Sequence, residues 1–171
     1  RCTESWTRYI NWSPAVVARK NAKTFRLAVH ALLLIASGQE PSASIVAVAG
    51  SQPQARRTWE LLMGIIKTNS RFMSQLRVQD HVSILTNLET NATFRAVPAV
   101  PDKLYGLSPS AILGDEMHIW AGDKGQKLWS SLFTGMGARL NPIVLTASTV
   151  PDSPPAPKDI FAEQLKRAMG V

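Results

Sequence analysis

The chemistry this chain can do is concentrated in three short segments. The first, Val16-Val17-Ala18-Arg19-Lys20-Asn21-Ala22-Lys23-Thr24, follows an apolar stretch and opens a helical pattern. Backbone N–H groups at a helix start bind phosphate, a lysine reaches the terminal phosphates as a point charge, and a neighbouring hydroxyl ligates magnesium. Lys23 and Thr24 are the lysine and hydroxyl of such a phosphate loop, although the two positions that are glycine in the general pattern are Val17 and Ala22 here. The second segment, Ile112-Leu113-Gly114-Asp115-Glu116-Met117-His118, is an apolar run ending in adjacent carboxylates. In phosphate-loop hydrolases such an Asp holds the magnesium shell, and the Glu beside it orients and deprotonates the attacking water. His118 has no second histidine near it and no His-Glu-x-x-His pattern, which argues against zinc. The third, Pro142-Ile143-Val144-Leu145-Thr146-Ala147-Ser148-Thr149, is a strand ending in hydroxyls that can bond a γ-phosphate or its attacking water and pass its loss to neighbouring structure.

These segments act together only if the fold brings strand ends to one place. Apolar, β-rich stretches alternate with helical patterns: Ala15–Ala18, Lys23–Ser37, Ser44–Gly50 and Gln54–Thr68. That alternation predicts a parallel sheet covered by helices, with ligands at the carboxyl ends of its strands. In Gln54–Thr68 the residues Ala55, Trp59, Leu62, Met63 and Ile66 recur at helical spacing, while Arg56, Arg57, Glu60 and Lys67 take other faces. Val82–Leu85 and Thr93–Val97 read as short strands around the polar turn Asn87–Asn91, a hairpin or an edge pair. A helix near Gln126–Phe133 and a strand Pro142–Thr146 follow the carboxylates. The Pro-rich run Pro151–Pro157 then breaks regular structure before a last helix carrying Phe161, Leu165, Ala168 and Met169 on one face.

At 171 residues and 45% hydrophobic content the chain has material for one ordinary core. Lys and Arg total 19 against 12 Asp and Glu, a formal charge of +7, which favours contact with a polyanion. The basic residues are scattered, so no charged arm stands out. Cys2 is alone and cannot form an internal disulfide, which fits a reducing setting. The apolar run Ala28–Ala36 is far short of the ~20 residues that span a bilayer. The chain begins with Arg1, so its start reads as truncated. Of the tryptophans, Trp59, Trp120 and Trp129 read as packing residues ahead of base-stacking ones.

Taken together, Arg19-Lys20-Asn21-Ala22-Lys23-Thr24, Gln54-Ala55-Arg56, Gly106-Leu107-Ser108-Pro109-Ser110, Leu113-Gly114-Asp115-Glu116-Met117-His118 and Thr146-Ala147-Ser148 resemble the amino-terminal ATPase region of tailed-phage terminase large subunits. The resemblance covers most of the chain. It implies a three-layer α/β P-loop NTPase of the ASCE, RecA-like kind with a mostly parallel central sheet. Residues 1–150 would form the ATPase core, and 151–171 a connection toward a nuclease domain whose sequence is absent here. The implied activity is ATP hydrolysis with Mg2+ that drives double-stranded DNA into a procapsid. Implied partners are the portal protein and the terminase small subunit, in a homo-oligomeric ring in the infected host's cytoplasm, with no membrane. Carried over by position, Arg19, Lys20, Asn21, Ala22, Lys23 and Thr24 would bind nucleotide. Thr24 and Asp115 would hold the metal, Glu116 would be the catalytic base, and Arg19 would neutralise developing charge or sense nucleotide. Thr146, Ala147 and Ser148 match the coupling motif. Two other readings share these residues: a helicase-like translocase, and a degenerate, non-hydrolysing assembly module.

Three positions depart from the family pattern. Ala22 stands where glycine is usual, and a left-handed backbone there would cost on the order of 1 kcal/mol. Tyr105 occupies the place of an arginine proposed to act on a neighbouring subunit, and Lys103 lacks the planar fork to replace it. The glutamine-containing segment that recognises adenine is not evident in Arg1–Ser13.

Overall fold

In the computed structural model the described residues are 11–18, 20–38, 40–100, 104, 106–120, 122–149, 162–163 and 166. Arg19, Lys103, Tyr105, Cys2 and nearly all of 151–171 lie outside them, and with them the expectations placed there. The strands are β1 (Trp12–Val16), β2 (Ser44–Ala49), β3 (Leu76–Gln79), β4 (Ile84–Asn87), β5 (Thr93–Pro98), β6 (Ala111–Asp115) and β7 (Ile143–Ser148). The helices are α1 (Lys23–Ala36), α2 (Gln52–Lys67), α3 (Ser70–Gln75) and α4 (Gly122–Met136).

The strands form one sheet in the order β1-β7-β6-β2-β5-β4-β3. From β1 to β5 every neighbour pair is parallel, and β4 and β3 extend the sheet antiparallel. Central strands of a doubly covered sheet must be apolar on both faces. β6 is buried along its whole length, and β2 at every residue after Ser44. In β2, Ile45, Ala47 and Ala49 face the core under α1 and α2, while Val46 and Val48 join Leu128, Leu132 and Met136 of α4 on the other face. Helices on both sides of a mostly parallel sheet are the three layers expected.

α2 starts where the Ser51 hydroxyl accepts the Gln54 N–H and Pro53 occupies a first-turn position. Its buried stripe, Ala55, Thr58, Trp59, Leu62, Met63 and Ile66, lies on the sheet, where Trp59 stacks on Phe94 of β5. Gly125 lets α4 approach the turn after β6, since a Cβ there would fall 2.2 Å from the Trp120 carbonyl oxygen. Among the described residues no helix is long and apolar enough to cross a membrane.

Several element bounds differ from expectation. β1 lies earlier than Ala15–Ala18, because Pro14 is tolerated in an edge strand. The expected antiparallel pair around Asn87–Asn91 is present as β4 and β5, with β4 shifted toward the turn, but it forms a hairpin inside the sheet and the edge is β3. α3 and β3 were not foreseen, because a six-residue helix and a four-residue alternating strand are too short to establish a period.

Candidate functional site

Strand order decides which residues meet. β7 is inserted between β1 and β6, so the ends of β1, β7 and β6 are adjacent. In register, Val16 faces Ser148 and Asp115 faces Ala147. Past β1, the Val17 N–H donates to the Ser148 carbonyl, and the loop turns back into α1. Two residues of that loop, Lys20 (φ 67) and Ala22 (φ 52, ψ 31), adopt the left-handed conformation. The expected glycine-like geometry at Ala22 is therefore present, with a Cβ in it.

Ala22 precedes the first residue of α1, and no side chain caps that end. The first turn contains no acidic residue. Its N–H groups and the positive end of the helix dipole are left for an anion. Beside them Lys23, with only 8% of its side chain exposed, places its ammonium 2.7 Å from Glu116 Oε1. The Thr24 hydroxyl donates to Asp115 Oδ2 at 2.8 Å. Two residues of the loop are thus paired with two carboxylates at the end of β6.

The two carboxylates differ electrically. Burial pushes Asp115 above the ordinary carboxylate range, and the charge of Glu116 adds to it against the Thr24 hydrogen bond and Lys23. Asp115 Oδ1 is buried and has no hydrogen-bond partner among the described residues. Burial pulls Glu116 the same way, but the hydrogen bond and charge of Lys23, helped by His118, bring it below its ordinary value. Glu116 is itself left-handed (φ 53) and its N–H is fixed to the Ala147 carbonyl at 2.8 Å.

These residues surround a cleft of about 460 Å³ lined by Lys20 to Phe25, Asp115 and Glu116, with Gln54, Arg57 and Leu61 of α2 on the remaining wall. The volume lies in the range of small-molecule sites. A larger groove, about 910 Å³, runs between Gly106–Ser108 and α4 and contains neither Asp115 nor Glu116.

Of the residues expected from sequence, Lys20, Asn21, Ala22, Lys23, Thr24, Asp115 and Glu116 share the cleft, and Arg19 lies outside the described residues. Ser148 reaches this neighbourhood through His118 and Glu116. Thr146 is buried with no partner for its hydroxyl among the described residues, and Ala147 bonds the Glu116 N–H through its backbone. Sequence reasoning gave no role to Arg57, which lines the cleft, while its neighbour Arg56 is tied to Glu60 and Asp80. The available signal was that α2 begins at the carboxyl end of β2, on the same side as the phosphate loop.

A mostly parallel sheet with a phosphate loop, an acidic strand end and a hydroxyl strand end beside it defines a P-loop NTPase. Residues 3–155 match the family described as terminase large subunit, ATPase domain, and the chain belongs to that family. It is 27% identical over 134 residues to the terminase large subunit of Enterobacteria phage HK97, spanning 78% of this chain but 26% of that protein. The crystal structure of the HK97 large terminase superposes with a TM-score of 0.78 at 22% identity, over 94% of this chain and 33% of that one. The large terminase ATPase domain of Thermus phage P74-26 gives 0.70 at 16% identity, over 86% and 62%.

Proposed function

We propose that this chain is the ATP-hydrolysing part of a motor that packages double-stranded viral DNA into a procapsid. The observation that carries the reading is the double pairing of Lys23 with Glu116 and Thr24 with Asp115 at the converging strand ends. In this reading Lys23 and the first-turn N–H groups of α1 hold the β- and γ-phosphates, with Lys20 and Asn21 at the rim and Arg19 offering a further positive charge. Thr24 and Asp115 would hold magnesium. Their oxygens suit a hard cation, and the unpartnered Asp115 Oδ1 is a buried acceptor in need of one. When bound, magnesium neutralises the phosphate oxygens. Glu116, kept ionised by its lowered pKa, takes a proton as water attacks the γ-phosphorus and the bond to the bridging oxygen of the ADP leaving group breaks. Ser148 links that event to β7, and Thr146 and Ala147 extend the coupling strand.

Membership in the family supports portal protein, small subunit and DNA as partners, a ring assembly, and a place of work in the infected host's cytoplasm. We assign no nuclease role to residues 1–150 and read 151–171 as a connection. The loop keeps its left-handed turn with alanine at position 22, which supports a working site over a degenerate assembly module.

The test is calorimetric titration of magnesium-ATP into the chain and into Lys23→Ala. Saturable binding abolished by the substitution is expected. Equal binding by a folded Lys23→Ala variant would remove Lys23 from the phosphate site.

A further inference from the structure

The Glu116 carboxylate is held from two sides. Oε1 faces Lys23 at 2.7 Å, whereas Oε2 lies 3.2 Å from His118 Nδ1 and accepts from the Thr149 hydroxyl at 3.3 Å. Phosphates entering the cleft compete for the Lys23 ammonium, so the hold on Oε1 weakens when the base is needed. What remains is the hold on Oε2.

His118 is joined to more than Glu116. Its Nδ1 is 2.8 Å from Ser148 Oγ, and its backbone N–H donates to the same oxygen at 3.3 Å. Ser148 is fully buried at the end of β7, in register with Val16 and bonded through its carbonyl to Val17, where the phosphate loop begins. One proton assignment satisfies every contact. An Nδ1–H shared between Glu116 Oε2 and Ser148 Oγ leaves the Ser148 hydroxyl free to donate to the Thr149 carbonyl at 3.3 Å. Met117–Ile119 forms a short 3-10 turn against β7, anchored by buried Met117 in the cluster that includes Leu128 and Leu132 of α4, so the imidazole sits on a fixed support.

We propose that His118 is a positioning residue that straps the catalytic base to the coupling strand, so that Glu116 and Ser148 move as one unit when Lys23 turns to the phosphates. The proposal rests on the reading of Glu116 as the base. It adds a residue that reading does not need, and it names the physical connection between hydrolysis and β7.

The test is steady-state ATP turnover by the full-length protein under packaging conditions, for His118→Ala, His118→Asn, Ser148→Ala, the His118→Ala/Ser148→Ala double variant and Glu116→Gln. His118→Ala is expected to lower kcat by about 10- to 100-fold with KM unchanged, since it removes orientation and no nucleotide contact. His118→Asn, whose amide nitrogen can stand near the Nδ1 position, is expected to recover most of that loss. The double variant is expected to be no slower than His118→Ala, as for two members of one strap. Unchanged kcat in a His118→Ala protein that melts normally overturns the strap, as does a rise in KM that accounts for the whole defect, or His118→Asn performing no better than alanine. If His118→Ala fails to fold, His118→Asn and Ser148→Ala carry the decision. Full turnover by Glu116→Gln removes the base and the strap with it. An inactive Glu116→Gln beside a fully active His118→Ala removes only the strap.

Discussion

Asp80 and Asp115 are both aspartates near a basic residue, at opposite regions of the molecule, and they are treated in opposite ways. At the β3 edge, Asp80 accepts from the Trp59 indole and pairs with Arg56 at 3.1 Å, and its pKa is lowered, chiefly by the Trp59 hydrogen bond. At the end of β6, Asp115 is pushed up by burial and keeps one oxygen without a partner. The contrast extends to their neighbours. Near the β3 edge, buried Asn87 donates to the Ile35 carbonyl and accepts the Glu89 and Thr90 N–H groups, fixing the turn between β4 and β5. Around the phosphate loop the Thr146 hydroxyl has no partner among the described residues, while left-handed residues occur in both regions, Ala22 and Glu116 here and Ser83 and Asn91 beside β4. The Asp80 and Asn87 side chains, which support the fold, are satisfied within it. Those at the cleft are arranged with unmet capacity, which is stability withheld from the empty protein and available to a ligand.

If the two regions divide in this way, substitutions should separate turnover from stability. The largest expected effect is at Glu116: Glu116→Gln should lower ATP turnover by about 10²- to 10⁴-fold while magnesium-ATP affinity is kept. Turnover and calorimetry on the same preparation check it, and parallel losses of both would place Glu116 in binding. Next comes Asn87→Ala, which strands the buried Ile35 carbonyl and two N–H groups of a partly buried turn. It should cost about 2–3 kcal/mol of unfolding free energy, read from denaturant melts, with kcat per folded molecule unchanged. A loss of kcat in the folded protein would show that the β3 edge is coupled to the cleft.

The division also explains what the sequence could say. Apolar runs such as Ile45–Ala49 and Ala111–Leu113 announced central strands, because doubly covered strands must be apolar. Lys23, Thr24, Asp115 and Glu116 were legible because phosphate and magnesium chemistry demands those types beside strand ends. α3 and β3 were not, because each is too short for its apolar residues to show a period, and the pairing of β3 is set by β4. Arg57 was hidden for a different reason. It looks like any charged residue on the outer face of an amphipathic helix until the sheet order places the start of α2 beside the loop. His118 stood in plain view, but its partner Ser148 is distant in sequence and meets it only through the β6–β7 register.

Ala22 carries the left-handed backbone that was expected of it, with a methyl group in place. Its φ of 52 is one that glycine adopts freely and alanine does not. Ala22→Gly should therefore raise stability by about 0.5–1 kcal/mol, the relief of the Cβ strain less the added freedom of the unfolded chain. A thermal melt reads it. A fall in stability would mean that the alanine methyl makes contacts worth more than the strain.

The smallest effect concerns acid. The pKa of Glu116 is depressed in the folded chain, so its ionised form contributes stability that is present above the ordinary value of 4.5 and is lost as pH falls through the depressed one. Asp115 runs the other way: its pKa is raised, and its ionisation costs stability as pH rises from the ordinary value of 3.8 through the raised one. Glu116→Gln removes the first contribution and, by deleting a neighbouring charge, part of the second. The nucleotide-free variant should be less stable than the unchanged chain at neutral pH by under about 1 kcal/mol, because the carboxylate is a quarter exposed and screened. The difference should vanish as pH falls below the depressed value. Melts of both proteins across the acid range measure it. A difference that persists at low pH would mean that the Lys23 contact is held by its hydrogen bond alone, with no contribution from the charge on Glu116.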